Sequence, residues 1–304
     1  MPIVKSEDAE VAPTLQNWKL TLAYDGTDFR GWQVQPGEIT VQGELQAALK
    51  RITGEAPLPQ GSGRTDAGVH ALGQVASFTL AAPIPAKNLQ RALNRTLPTS
   101  ICVVEARTAQ SAFHARHSAL AKTYEYRVFR DLLCPPFLAR YVHHCSWPMN
   151  LEALERAAQL FVGEHDFMSF AATDPELGAP SILRSLQKGW DSNDPDVPPD
   201  PRPIPREGFV IKPPMDPTVR RIFSSGWEEQ RCEAGALLVY RVRGSGFLHH
   251  MVRNLVGTML DVGRGRLKAE SIPEILAARN RAAAGPTAPA RGLFLHSVEY
   301  DGAE

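Results

Sequence analysis

Cysteine is scarce: the 304 residues hold four, Cys102, Cys134, Cys145 and Cys232, and no two form a C-x-x-C pair. That spacing excludes a zinc knuckle or a redox dithiol and leaves buried free thiols. No apolar run reaches the ~18 residues of a membrane helix, and the first twenty residues carry no signal-peptide core. A cytoplasmic protein with no membrane association is therefore expected. Net charge is missing too, because 33 basic residues balance 33 acidic ones, which argues against indiscriminate nucleic-acid binding. The chain shows no paired acid, no metal-ligand cluster and no nucleotide-phosphate loop.

What is present is an ordinary globular composition, 43% hydrophobic and 22% charged, in a chain long enough to bury a large core in one or two domains. Charge is segregated. From Arg241 to Arg281 eight basic residues face Asp261, Glu270 and Glu274, whereas Glu152 to Glu176 holds six acids against Arg156 alone. A one-sided RNA-binding face would require such a distribution.

Residues 1–16 lack any period and read as a disordered tail. Trp18, Leu20, Leu22 and Tyr24 alternate with Lys19, Thr21 and Ala23, predicting a strand that ends at Asp25-Gly26. Val41, Leu45, Ala48, Leu49 and Ile52 recur at helical spacing up to Gly54. Strands are predicted over 74–80, 122–129 and 236–243, followed by a tight turn at Gly244-Ser245-Gly246. Helices are predicted over 151–161, closed by Gly163, and over 247–262, with Phe247, Met251, Leu255 and Met259 on one stripe. Ser271 to Glu274 reads as a capping box opening the last helix. Nine prolines between Pro195 and Pro217 exclude helix and interior strand, so a surface insertion is expected around 191–226. The mixture implies an α+β fold with largely antiparallel mixed sheet flanked by helices. Its two halves, 17–115 and 116–304, are expected to meet at a central cleft.

The most informative stretch is Gly61-Ser62-Gly63-Arg64-Thr65-Asp66-Ala67-Gly68-Val69-His70, in which glycines surround a carboxylate flanked by a cation and a hydroxyl. Such a loop lets backbone approach a ligand closely, and Arg64 favours the ionised form of Asp66. From composition alone, a structural turn with Asp66 bonding nearby amides is the simpler reading. Tyr124, on one face of a predicted strand, would by default pack in the core. Arg253 would be a solvated helix residue, and His114 and Arg116 could serve phosphate contacts or internal hydrogen bonds. Neighbouring His249 and His250 would not face one direction on a helix, which argues against a metal site.

Gly63-Arg64-Thr65-Asp66-Ala67-Gly68-Val69-His70 resembles the G-R-T-D-x-G-V-H signature of the tRNA pseudouridine synthase A family. The resemblance continues in family order through Tyr24-Asp25-Gly26-Thr27, Gly31-Trp32-Gln33, Phe113-His114-Ala115-Arg116, Gly163-Glu164-His165-Asp166-Phe167 and Phe247-Leu248-His249-His250-Met251-Val252-Arg253-Asn254. It implies the pseudouridine synthase fold and isomerisation of uridine to pseudouridine at positions 38 to 40 of the tRNA anticodon arm, without metal or other cofactor. It implies Asp66 as nucleophile, Tyr124 beneath the target base and Arg253 paired with the aspartate. It also implies that Arg64 fills the space the base vacates in the RNA, and that a homodimer binds one tRNA across both subunits. A noncatalytic tRNA-binding or folding protein on the same scaffold is the alternative; such a protein would tolerate loss of Asp66, Tyr124 or Arg253, and all three are present. A hydrolase using Asp66 as nucleophile is the third possibility.

Overall fold

Apolar residues alternating from Trp18 onward dictate an extended chain, and the first strand, β1, runs Gln16–Tyr24. The computed structural model describes residues 15–172 and 218–302. Most of the tail expected at 1–16, and the Pro-rich stretch as far as 217, lie outside the described residues. The chain divides into two compact units, one running to Ala119 and regaining the chain from Val298 onward, the other spanning Leu120–Ser297.

In the first unit, α1 (Val41–Thr53) begins where the Thr40 hydroxyl accepts the Gly43 N–H and stops at Gly54, whose φ of 80° places it in the left-handed region. β2 (Gln60–Gly61), β3 (His70–Leu80), α2 (Ala86–Thr96) and β4 (Ile101–Thr108) follow. β1 lies between β4 and β3, antiparallel to both, with Trp18 opposite Phe78 and Leu20 opposite Ala76. β2 adds to β3. Trp18, Leu20, Leu22 and Tyr24 are buried, as are Val41, Leu45 and Leu49 of α1 and Leu89 and Leu93 of α2. Each such side chain contributes about 1.5–3 kcal/mol by leaving water, more than any local propensity, so the apolar stripes decide the packing.

The second unit is built on β5 (Ala119–Phe129), a short α3 (Pro136–Ala139), β6 (His143–His144), α4 (Leu151–Gln159), β7 (Gly163–Asp166), β8 (Val219–Cys232), β9 (Gly235–Gly244), α5 (Met251–Gly263), α6 (Ile272–Ala277) and β10 (Leu293–Tyr300). Its strands follow the order β10-β5-β9-β8-β7, with β6 beside β5. The β5–β9, β9–β8 and β8–β7 pairings are antiparallel, as the α+β reading requires, and β6 pairs with β5 in parallel. α5 is buried almost all round and packs closely on α4: a Cβ on Gly263 would stand 3.0 Å from the Leu154 side chain.

Five local expectations need correction. Of the free thiols expected to be buried, only Cys145 is; Cys102 and Cys232 are exposed. Residues 219–226, assigned to the insertion, form the first half of β8, because Ile222 turns into the core and Ser225 bonds the buried Tyr240 hydroxyl at 2.8 Å. Gly163 does not cap α4, which ends at Gln159 with Leu160 as its cap; with φ 119° it opens β7 instead. Phe247 lies outside α5, since His250 takes φ 60° and the helix starts at Met251. Ser271 forms no capping box: its backbone is already helical and its side chain makes no cap bond.

Candidate active site

Asp66 is presented by a loop of the first unit that a second loop, residues 25–32, grips from beneath. Trp32 N–H donates to Thr65 O (3.0 Å), Gly68 N–H to Phe29 O (3.3 Å) and Gly26 N–H to His70 Nδ1 (3.1 Å). Two positions in the gripping loop admit only glycine. A Cβ on Gly26 would stand 1.9 Å from Val69 O, and Gly31 has φ 85° with Thr65 O 2.5 Å from where its Cβ would be. From within, the Tyr24 and Thr65 hydroxyls lie 2.8 Å apart, Ser62 Oγ donates to Gln74 Oε1 (2.7 Å), and Gln74 Nε2 donates to Gly63 O (2.8 Å). Thr65 is buried whereas Asp66 is half-buried, and the Asp66 carbonyl accepts the Val69 N–H at 3.1 Å. A carboxylate on so constrained a backbone is preorganised, which nucleophilic chemistry rewards.

Arg64, His114 and Arg116 belong to the same unit. Arg64 is exposed, yet desolvation of its inner part, and then the Arg116 guanidinium, lower its pKa. The two cations therefore feel each other, a suitable arrangement for a phosphate backbone. His114 Nδ1 accepts the backbone N–H groups of Arg116 (3.1 Å) and His117 (3.3 Å), and partial burial followed by His117 and Arg116 holds its pKa below the usual histidine value. His114 is thus a neutral ring organising its own turn, so one of the two readings open in the sequence, internal hydrogen bonding, is realised.

Tyr124 and Arg253 belong to the second unit. Tyr124 sits on β5 opposite Val242 of β9, 7% exposed, its ring edge-on to Phe247 with centroids 5.0 Å apart. Its neighbour Glu125 points to the other face but is also buried, held by Arg127 Nε (2.7 Å) and Arg241 Nε (3.0 Å). Arg253, in the first turn of α5, is tied at both ends to one residue: its Nε donates to Ala288 O (2.7 Å) and its carbonyl accepts the Ala288 N–H (3.1 Å). It is a braced side chain, not a loose surface cation. His249 and His250 precede the helix with ring centroids 4.0 Å apart, so the helical-spacing argument made about them does not apply.

Sequence reasoning missed the residues that hold these groups. Phe247 packs on Tyr124 because it lies before the helix, and Asn254, Arg281 and Thr287 form a polar cluster beside Arg253. Their only sequence signal is an Asn in the middle of an apolar helical run, an expensive residue to bury without partners.

The tRNA pseudouridine synthase family model matches residues 21–118 and 208–301. Among curated relatives, the tRNA pseudouridine synthase A of Solibacter usitatus is 45% identical over 285 residues, covering 93% of this chain and 98% of that protein. The proteins of the same name from Moorella thermoacetica and Halalkalibacterium halodurans are 42% and 40% identical, covering 93% and 90% of this chain and 98% and 89% of theirs. The matched segments carry the Asp66 loop in one and the Arg253 helix in the other, and on that footing the chain belongs to the tRNA pseudouridine synthase family.

Proposed function

We propose that this protein isomerises uridine to pseudouridine at positions 38 to 40 in the anticodon arm of tRNA, with Asp66 as nucleophile. The observation that carries the reading is the Asp66 loop itself: backbone pinned from two sides, Thr65 buried, and Asp66 beside it half-exposed. The reaction breaks the C1′–N1 bond, joins C1′ to C5, releases the C5 proton and protonates N1. Asp66 attacks C1′ or C6 to open this sequence, and Arg253 keeps the carboxylate ionised and oriented. Tyr124, already edge-on to Phe247, supplies an apolar plate beneath the extruded uracil. Arg64 enters the space the base leaves, and Arg116, with the turn organised by His114, meets the phosphates. None of these steps calls for redox or metal chemistry. No helix among the described residues is long and apolar enough to cross a membrane, and we place the enzyme in the cytoplasm as a homodimer.

The test is tritium release from 5-tritiated uridine in anticodon-arm tRNA. Asp66→Ala should lose at least about 10³-fold in rate. Undiminished release by that variant would remove Asp66 from the chemistry and leave a tRNA-binding role for the loop.

A further inference from the structure

We propose that Arg281, acting through Asn254 and the 284–289 strap, is the positioning residue that sets the Arg253 side chain. The inference rests on the role given to Arg253 above.

The strap lies along one face of α5 and is fastened to it through Arg253, Asn254, Gly257 and Thr258. Arg253 exchanges two hydrogen bonds with Ala288. The fully buried Asn254 accepts Thr287 Oγ1 (2.7 Å) and Arg281 Nη2 (3.1 Å) on Oδ1, and its Nδ2 donates to Phe170 O (2.7 Å). Gly257 leaves no room for a Cβ, because Pro286 O would be 1.6 Å from it, and Thr258 Oγ1 accepts the Gly285 N–H (2.9 Å). From the sheet side, Tyr126 Oη donates to Pro289 O (2.9 Å). The carbonyl that orients Arg253 is thus held by a strap whose own position is set elsewhere.

Arg281 is the clasp. Its guanidinium spans three acceptors, Asn254 Oδ1, Thr287 Oγ1 (3.1 Å) and Ala284 O (3.3 Å), all neutral. Partial burial disfavours its charge, and none of those contacts is a carboxylate. Stability alone does not call for a cation here; a planar fork reaching three acceptors at fixed angles does, and lysine cannot replace it. Asn254 is consumed by the same task, since Oδ1 already takes two donors and Nδ2 has its carbonyl.

The experiment is a double-mutant cycle in the full-length protein, read by single-turnover tritium release at saturating anticodon-arm tRNA, alongside thermal melts. Arg281→Gln should lower the rate about tenfold with KM little changed, and should move the acidic limb of the pH–rate profile to higher pH, because Asp66 loses an aligned cation. Arg281→Lys should recover little. In an Arg253→Gln background, Arg281→Gln should add no further loss. A wild-type rate in Arg281→Gln, or an equal loss in both backgrounds, would overturn the proposal. If Arg281→Gln melts below the assay temperature, Thr287→Ala, which removes one exposed side chain of the clasp, takes its place in the cycle. Asp66→Ala run in parallel separates the two failures: retained activity there sinks the nucleophile assignment, whereas an additive cycle sinks only the clasp.

Discussion

The hydroxyls of Tyr24 and Thr65 share a buried hydrogen bond of 2.8 Å, one residue before Asp66. The bond joins the end of β1 to the Asp66 loop, so a core residue of the sheet and the backbone of the proposed nucleophile form one rigid piece. Burial, against the hydrogen bonds from Thr65 and Gln74, pushes the Tyr24 phenol up to about 12.

Tyr24→Phe should therefore cost about 1–2 kcal/mol of stability, the net worth of the buried bond to Thr65 and the longer one from Gln74, with a larger loss in kcat than in KM. The sign with pH follows from the raised pKa: stability from the neutral phenol is full below pH ~10 and is lost as pH rises toward 12. Alkaline melts should fall less steeply in Tyr24→Phe than in the wild type. Parallel curves would show that Tyr24 titrates as it does in the unfolded chain.

His143 titrates in the opposite direction. Burial, then the Arg291 and Arg264 charges, hold it near 4, so its neutral ring contributes stability at pH 7 that is lost as pH falls from about 6.5 to 4. His143→Gln should flatten the melting temperature across that window relative to wild type. An unchanged slope would mean that the ring can be protonated in place.

Gly257→Ala sets two effects against each other. Alanine gains up to about 1 kcal/mol of helix propensity, but its Cβ would stand 1.6 Å from Pro286 O, and overpacking of this kind costs about 1–3 kcal/mol or more. The clash should win, lowering the melting temperature and displacing the strap from Arg253, with activity falling more than stability alone explains. A stabilised, fully active variant would mean the strap moves freely.

Glu125→Gln leaves Arg127 and Arg241 without their shared carboxylate. Both arginines are partly exposed, so the loss should be about 1–2 kcal/mol, below that of a fully buried pair. Burial opposes ionisation of Glu125, but the two arginines outweigh it and lower its pKa. Its contribution is thus present at neutral pH and lost in acid, and wild type and variant should converge in stability at low pH.

Light scattering at micromolar concentration should give twice the 33.4 kDa chain mass if the proposed homodimer forms. A single species at the chain mass would refute it.

Elements whose signals are local were legible in the sequence. α1 shows its apolar spacing and its glycine stop, and β1 and β5 show their alternation, because each buries one face along a short stretch. The start of β8 was hidden by Ser224, Ser225 and Gly226, weak strand formers held in place by the pairing with β9. Phe247 continues the apolar period of α5 by accident, since a left-handed His250 breaks the helix before it. Asp66 stood out because glycines and a family motif surround it. The brace on Arg253 did not: Arg281 and Thr287 lie 27 and 33 residues from Asn254 and meet it only after folding.

The final strand has a consequence for how the chain is made. Leu293–Ser297 belong to the second unit, but the residues from Val298 return to the first, where the Tyr300 hydroxyl donates to Ala115 O across 185 residues of sequence and its ring lies under the Lys19 ammonium, 4.3 Å away. On the ribosome the first unit must wait, incomplete, until the whole of the second has been synthesised.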